Sequence, residues 1–253
     1  YIIKSLSYSL IPLLKDKKKD ALHRYQFLQK FLKESKKFGA QRRASEAKAV
    51  NISLENLSRN MGYSDVTRLI WNMETALINE MKEYFEPKKL DDVDVYIKID
   101  ELGQSEIIYE KAGKELKSLP TKLKKDKYIE DIKEVHKNLK EQYRRSRKML
   151  EEAMEDATEF YGYEIENLMT NPVIAPILKS LVFKMDKNLG YYVDKKLKSV
   201  NKKSVAVKDD SLLKIAHCFD LFESGDWASY QKDIFDRELK QPFKQVFREL
   251  YVK

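Results

Sequence analysis

From Lys125 to Tyr161 apolar residues recur mostly three or four positions apart, and neither glycine nor proline interrupts them. Tyr128, Ile132, Val135, Leu139, Tyr143, Leu150, Ala153, Ala157 and Phe160 carry the stripe. That period specifies one continuous helix. At 1.5 Å per residue it is roughly 50 Å long, enough to cross a small domain. A rod of this length with one apolar face dictates what surrounds it, because the other apolar faces of the chain need a surface to cover. Charged residues make up 36% of the sequence and glycine contributes only 7 residues, which favours helices with solvated outer faces.

The flanking segments fit that frame. Residues 1–37 read as two amphipathic helices, with stripes Ile3, Leu6, Leu10, Leu13 and Ala21, Tyr25, Leu28, Leu32. Pro12 and the run Lys15–Lys19 separate them. Ala44, Ala47, Val50, Leu54, Leu57 and Met61 give a third helix that Gly62 caps. Ser64 or Asp65 starts a fourth, which carries Val66, Leu69, Ile70, Met73, Leu77, Met81 and Tyr84 and closes at Pro87. The period then changes to two. Val93, Val95, Ile97 and Ile99 alternate with polar residues, and with Glu106–Lys111 and Lys114–Ser118 they predict a β-meander over about 92–118.

After the long helix, 163–169 and 173–181 read as short helices. A second β-rich patch is expected over about 181–216, in the pieces 181–185, 190–193, 197–200 and 204–207. Trp227–Leu239 is helical. Gln241–Tyr251 reads best as a helix, with Phe243, Phe247 and Tyr251 on one face and Pro242 in its first turn. The expected fold is therefore a mainly helical α+β single compact domain over 1–253, in which the first 37 residues are a helical preface.

Composition excludes several classes. Hydrophobic content of 42% is that of a globular chain. The single cysteine, Cys218, rules out an intramolecular disulfide framework and fits a reducing, cytoplasmic setting. No apolar run approaches the ~18 residues needed to span a bilayer, and no secretory signal is visible, so no membrane partner is expected. The chain begins at Tyr1 and stops at Lys253 just after a patterned segment, and is expected to be a piece of a longer protein. Net charge of +8, from 49 basic against 41 acidic residues, leans towards acidic partners.

No catalytic residue, cofactor or metal is expected. Gly113-Lys114 lacks the upstream glycine and the following Ser or Thr of a phosphate-binding loop. His217 and Cys218, read as neighbours on a strand, point to opposite faces, and His23 and His136 have no partner at ligand spacing. Two polar groupings remain. Lys122, Lys124 and Lys125 precede the long helix, and Arg144, Arg145, Arg147 and Lys148 form a run within it. They suit either phosphate contact or i,i+4 pairing with Glu141, Glu151 and Glu152 along a solvated face. Arg42, Arg43 and Glu46 open the third helix, either as a register-fixing ion pair or as a ligand contact; Gln241, Lys244, Arg248 and Glu249 complete this second grouping.

Four strings occur together and in order. They are Phe38–Glu46; Asn56-Leu57-Ser58-Arg59-Asn60 with Gly62-Tyr63; Gly113-Lys114 through Lys117-Ser118-Leu119-Pro120 and Lys124-Lys125-Asp126; and Gln241–Tyr251. Over 38–251 the chain resembles the bacterial MolR-like domain of unknown function, a family that often accompanies WGR modules. The resemblance implies no reaction. WGR modules elsewhere work with nucleic-acid-binding proteins, so it implies nucleic acid by association. The expected function is a non-enzymatic regulatory or binding module, associated with nucleic acid. The alternatives are a scaffold for other protein domains, including missing parts of the parent chain, through Trp227–Tyr251 or the meander, and then an enzyme whose polar site combines 38–46 with 241–251.

Overall fold

The computed structural model describes residues 2–250, with side chains from Leu6 onward. Where the sequence suggests one compact domain, the chain divides into two compact units, Tyr1–Glu80 and Met81–Lys253.

The first unit is four helices: α1 (Ile2–Leu10), α2 (Lys17–Ser35), α3 (Ala40–Met61) and α4 (Val66–Glu80). Ala21, Tyr25, Leu28, Val50, Leu54, Leu57, Leu69 and Met73 form a core of their own, which is why these residues cohere as a unit. Asp16 caps α2 by accepting from the Lys19 amide, and Gly62 ends α3 at φ 78°, a left-handed conformation that suits glycine. The expected α1 stripe fails at Leu10, which is 67% exposed, because the helix stops there. A buried guanidinium fixes the stop. Arg24 donates to the carbonyls of Tyr8 (2.9 Å), Ile11 (2.6 Å) and Pro12 (3.0 Å) and to Asp20 (2.8 Å). Burial alone would raise the Asp20 carboxyl, but hydrogen bonds from the Leu14 amide and from Arg24 outweigh it and hold it below the usual range.

The second unit opens with a short 3-10 turn (Lys82–Phe85), so the fourth helix ends earlier than Tyr84. Strands β1 (Lys88–Leu90), β2 (Val93–Ile99), β3 (Ser105–Lys111) and β4 (Lys114–Glu115) form an antiparallel meander in chain order. Val93, Val95 and Ile97 are buried, as the alternation predicts. At the β2–β3 turn Gly103 has φ 81°, and a Cβ there would meet the Val173 carbonyl at 2.4 Å. Only glycine lets this turn sit so close.

Helix α5 (Lys127–Glu155) starts where Asp126 accepts from the Tyr128 amide. It ends six residues short of Tyr161. Ala157 turns left-handed (φ 52°), and the Thr158 amide reaches back to the Ala153 carbonyl (2.9 Å). Phe160 keeps the helical spacing by coincidence; it lies in β5 (Glu159–Tyr161).

Beyond β5 come α6 (Gly162–Met169), α7 (Ile174–Lys179), β6 (Val182–Met185), β7 (Asn188–Val193), β8 (Lys196–Lys198), β9 (Ser204–Ala206) and β10 (Leu212–Ile215). The second sheet is antiparallel, in the order β5-β10-β6-β7-β8-β9. Two helices follow, α8 (Cys218–Ser224) and α9 (Trp227–Asp236). His217 is therefore not on a strand but caps α8, accepting from the Phe219 amide.

Residues 237–250 form no helix. Gln245, Val246 and Phe243 are buried while Phe247 is 50% exposed, so the expected aromatic face does not exist; Tyr251 lies outside the described residues. Two glutamines hold the segment down. The Gln245 amide accepts from the Val182 N–H (2.9 Å) and donates to the carbonyls of Val182 and Ala216 (2.8 Å each). It stands just past the last β10–β6 pair, Ile215 with Phe183, where a side chain replaces a backbone partner. Gln241 donates to Gln245 (2.9 Å) and to the Ser180 carbonyl (3.0 Å) and accepts from the Val246 amide (3.1 Å). These tertiary bonds satisfy backbone groups that a helix would otherwise satisfy itself.

Candidate nucleic-acid interface

One face of α5, carrying Ile129, Ile132, Leu139, Leu150 and Met154, is buried in the second unit. A flank of the helix, about 100° round from that face, carries charge in an ordered way. Lys133, Lys137, Lys140, Arg144, Arg147 and Lys148 are all exposed. At 3.6 residues per turn their spacings of four, three, four, three and one place them within an arc of about 100°, over about 22 Å of helix. Acids lie at the margins of this ridge. Glu134, Glu141 and Glu152 flank one side, Glu130 lies before it, and Glu151 and Glu155 follow it. Lys148 pairs with Glu152 at 3.2 Å. Among the described residues, Lys133, Lys137, Lys140, Arg144 and Arg147 form no ion pair. The two acids that follow the ridge are engaged by Arg248, whose guanidinium meets Glu151 at 3.6 Å and is hydrogen-bonded to Glu155.

The run Arg144–Lys148 was the legible end of this ridge, and the spaced lysines upstream were missed. Their i, i+4, i+7 spacing in the sequence is the signal that could have found them. Arg145 points about 100° away from Arg144, is half-buried and has interactions of its own. Lys122 sits in a 3-10 turn (Thr121–Leu123) and meets Asp91 at 3.0 Å and Asp92 at 3.9 Å, contacts that raise its ammonium pKa, hydrogen bonding to Asp91 first. Lys124 and Lys125 are exposed and precede the helix, off the ridge.

Beside the ridge lie two grooves. One, of about 570 Å³, is lined by Tyr143, Pro176, Ile177, Lys179, Lys240 and Gln241, among others. The second, of about 440 Å³, is lined by Arg147, Leu239, Gln241, Phe243, Lys244 and Phe247, with Ile234. Leu239 and Gln241 line both, so the two adjoin, and Arg147 belongs to both ridge and groove. Gln241 and Lys244, from the second polar grouping, thus come together with Arg147 from the first. Lys244 meets Glu249 at 2.8 Å, and hydrogen bonding from Lys244 holds the Glu249 carboxyl low. Arg42, Arg43 and Glu46 belong to the first unit. There Arg42 pairs with the buried Glu46 at 2.8 Å and stacks over Phe38 at 3.4 Å, while Arg43 is exposed.

The other titratable cluster is structural in form. Asp220, 6% exposed, bridges Lys184 (2.7 Å) and Lys214 (3.1 Å), which are cross-strand neighbours, and accepts from the His217 amide at 3.0 Å. Burial pushes its carboxyl up, yet these hydrogen bonds prevail and hold it below the usual value. Cys218 Sγ lies 3.8 Å from the His217 ring nitrogens, but it is buried and burial pushes its thiol up, which disfavours the thiolate. Among the described residues, no group of three or more His, Cys, Asp or Glu is placed to hold a metal, and no helix is long and apolar enough to cross a membrane.

A family described as a domain of unknown function (DUF4132) matches residues 113–253, more than half of the chain. The chain belongs to that family. The DUF4132 region contains α5 and its ridge, the six-stranded sheet and the 237–250 segment, hence nearly every group that lines the grooves. A second family of unknown function (DUF5724) matches residues 4–73, which takes in most of the first unit and the helical preface that the sequence resemblance left out. No curated protein and no solved structure matches.

Proposed function

We propose that this DUF4132 protein is a binding module without a reaction of its own, a MolR-like domain of the kind that accompanies WGR modules, and that it holds nucleic acid through backbone phosphates. The ridge of α5 carries the reading. A solvated helix face ordinarily pairs its cations with acids at i,i+4, as Lys148 does with Glu152. From Lys133 to Arg147 like charges instead succeed one another at helical-neighbour spacing, each pair destabilising by a few tenths of a kcal/mol. A phosphate chain lying along the ridge would remove that repulsion and release its own counterions. Among the groups of the enzyme alternative, Glu46 is buried against Arg42, Lys244 meets Glu249 and Arg248 meets Glu151.

The test is binding of labelled nucleic acid to the intact chain across a salt series. Affinity should fall steeply with salt, with a slope of about 0.7–0.9 per phosphate contact. Lys140→Ala, Arg144→Ala and Arg147→Ala together should flatten that slope by roughly 2–3. Arg145→Ala, off the ridge, should leave it unchanged. No binding even at low salt would refute the proposal. It would favour the second reading, a protein-interaction surface, for which Phe235 (79% exposed) on α9 and Phe222 (53%) on α8 are the supporting observation.

A further inference from the structure

We infer that the nucleic acid is single-stranded, with its phosphates on the α5 ridge and its bases in the adjoining grooves; the inference rests on the reading just proposed. The grooves combine two properties that a phosphate-only site does not need. The first is charge beyond the ridge. Arg147, Lys179, Arg237, Lys240 and Lys244 line the pair, against one carboxylate, Glu101, among the described lining residues. Arg237 is held by Asp233 at 2.9 Å and Lys244 by Glu249, while Arg147, Lys179 and Lys240 form no ion pair among the described residues.

The second property is an apolar and aromatic lining. Ile234, Leu239, Phe243 and Phe247 line the smaller groove, and Phe247 keeps 50% of its surface exposed there. An exposed phenyl ring flanked by cations is what an unstacked base needs. The ring offers a π-face to any base and the cations hold the phosphates on either side of it. A duplex keeps its bases stacked inside and cannot lay one on Phe247 without opening. Arg147 provides the continuity, because it stands both in the row of cations and in the groove wall. A strand following Lys137, Lys140 and Arg144 reaches, at Arg147, the groove that Phe247 also lines.

The deciding experiment compares labelled oligodeoxyuridylate, oligouridylate and a duplex of equal length, at low salt, with the intact chain and with Phe247→Ala and Phe247→Trp. Both single strands should bind at least about tenfold more tightly than the duplex. Phe247→Ala should weaken single-strand binding about 5- to 150-fold, the range for loss of one stacked base, with an unchanged salt slope. Phe247→Trp should retain it, which separates stacking from misfolding. A preference for oligouridylate over oligodeoxyuridylate of the same length would identify RNA as the source, through the 2′-hydroxyl, and the reverse DNA. Equal affinity for strand and duplex, with Phe247→Ala altering neither, would overturn this inference and leave the phosphate-binding proposal standing. Absence of binding to all three would overturn both.

Discussion

Gln245→Leu should cost the second unit more stability than its size suggests. The glutamine is fully buried and spans the Val182 N–H and the Ala216 carbonyl where β6 and β10 part. Leucine has nearly the same volume, so the cavity contribution is small. The Val182 carbonyl keeps its bond from the Ala216 amide (2.9 Å) and loses little. The Val182 N–H and the Ala216 carbonyl lose their side-chain partner at a fully buried position. Each orphaned group costs roughly 1–3 kcal/mol. Allowing for the apolar gain of leucine, the net loss is about 3 kcal/mol. For a unit of this size each kcal/mol moves Tm by about 2–4 °C, so calorimetry on the intact chain should show the transition of the second unit falling by roughly 6–12 °C. A fall of less than about 2 °C would refute the idea that the amide stands in for a backbone partner.

Two further outcomes follow from buried charges. Asp220→Asn should destabilise the second unit by about 2–3 kcal/mol at neutral pH, because Lys184 and Lys214 then face each other without a carboxylate. The Asp220 carboxyl titrates below its ordinary value in the folded chain, so its contribution is fully present above about pH 4 and is lost as pH falls through the folded value. Denaturation of both forms across pH 3 to 7 should therefore converge at the acid end, and a gap independent of pH would contradict the assignment. Arg24→Met should remove about 3–5 kcal/mol from the first unit, since Asp20 and three carbonyls lose one shared donor. Urea denaturation of the intact chain should show an early loss confined to that unit, and an unchanged midpoint would contradict it.

Local periodicity made much of this fold legible, and each failure has a physical cause. Val93, Val95 and Ile97 announce β2 because a half-buried strand must alternate. Phe160 and Ala157 keep the helical rhythm past the true end of α5, but Phe160 pairs instead with Leu213 of β10, about fifty residues downstream, and no local pattern reports that pairing. The same holds for Phe243, Phe247 and Tyr251, whose i, i+4, i+8 spacing is shared by the more decisive Gln241 and Gln245. The ridge was half visible, because Arg144-Arg145-Ser146-Arg147-Lys148 stands out as a run while Lys133, Lys137 and Lys140 do so only on a helical wheel. The grooves were not visible at all, being assembled from 101–104, 176–180 and 237–247.

At Gln241 and Gln245 it is amides that fasten the groove wall. Gln241 and Gln245 neither titrate across ordinary pH nor respond to ionic screening, whereas the cations around them feel the full effect of salt. Shape and attraction are thus governed by separate variables. On the proposed reading, raising salt should release a bound strand without deforming the groove, so that it can be eluted and reloaded on the same molecule, and a titration reads the ligand rather than the protein.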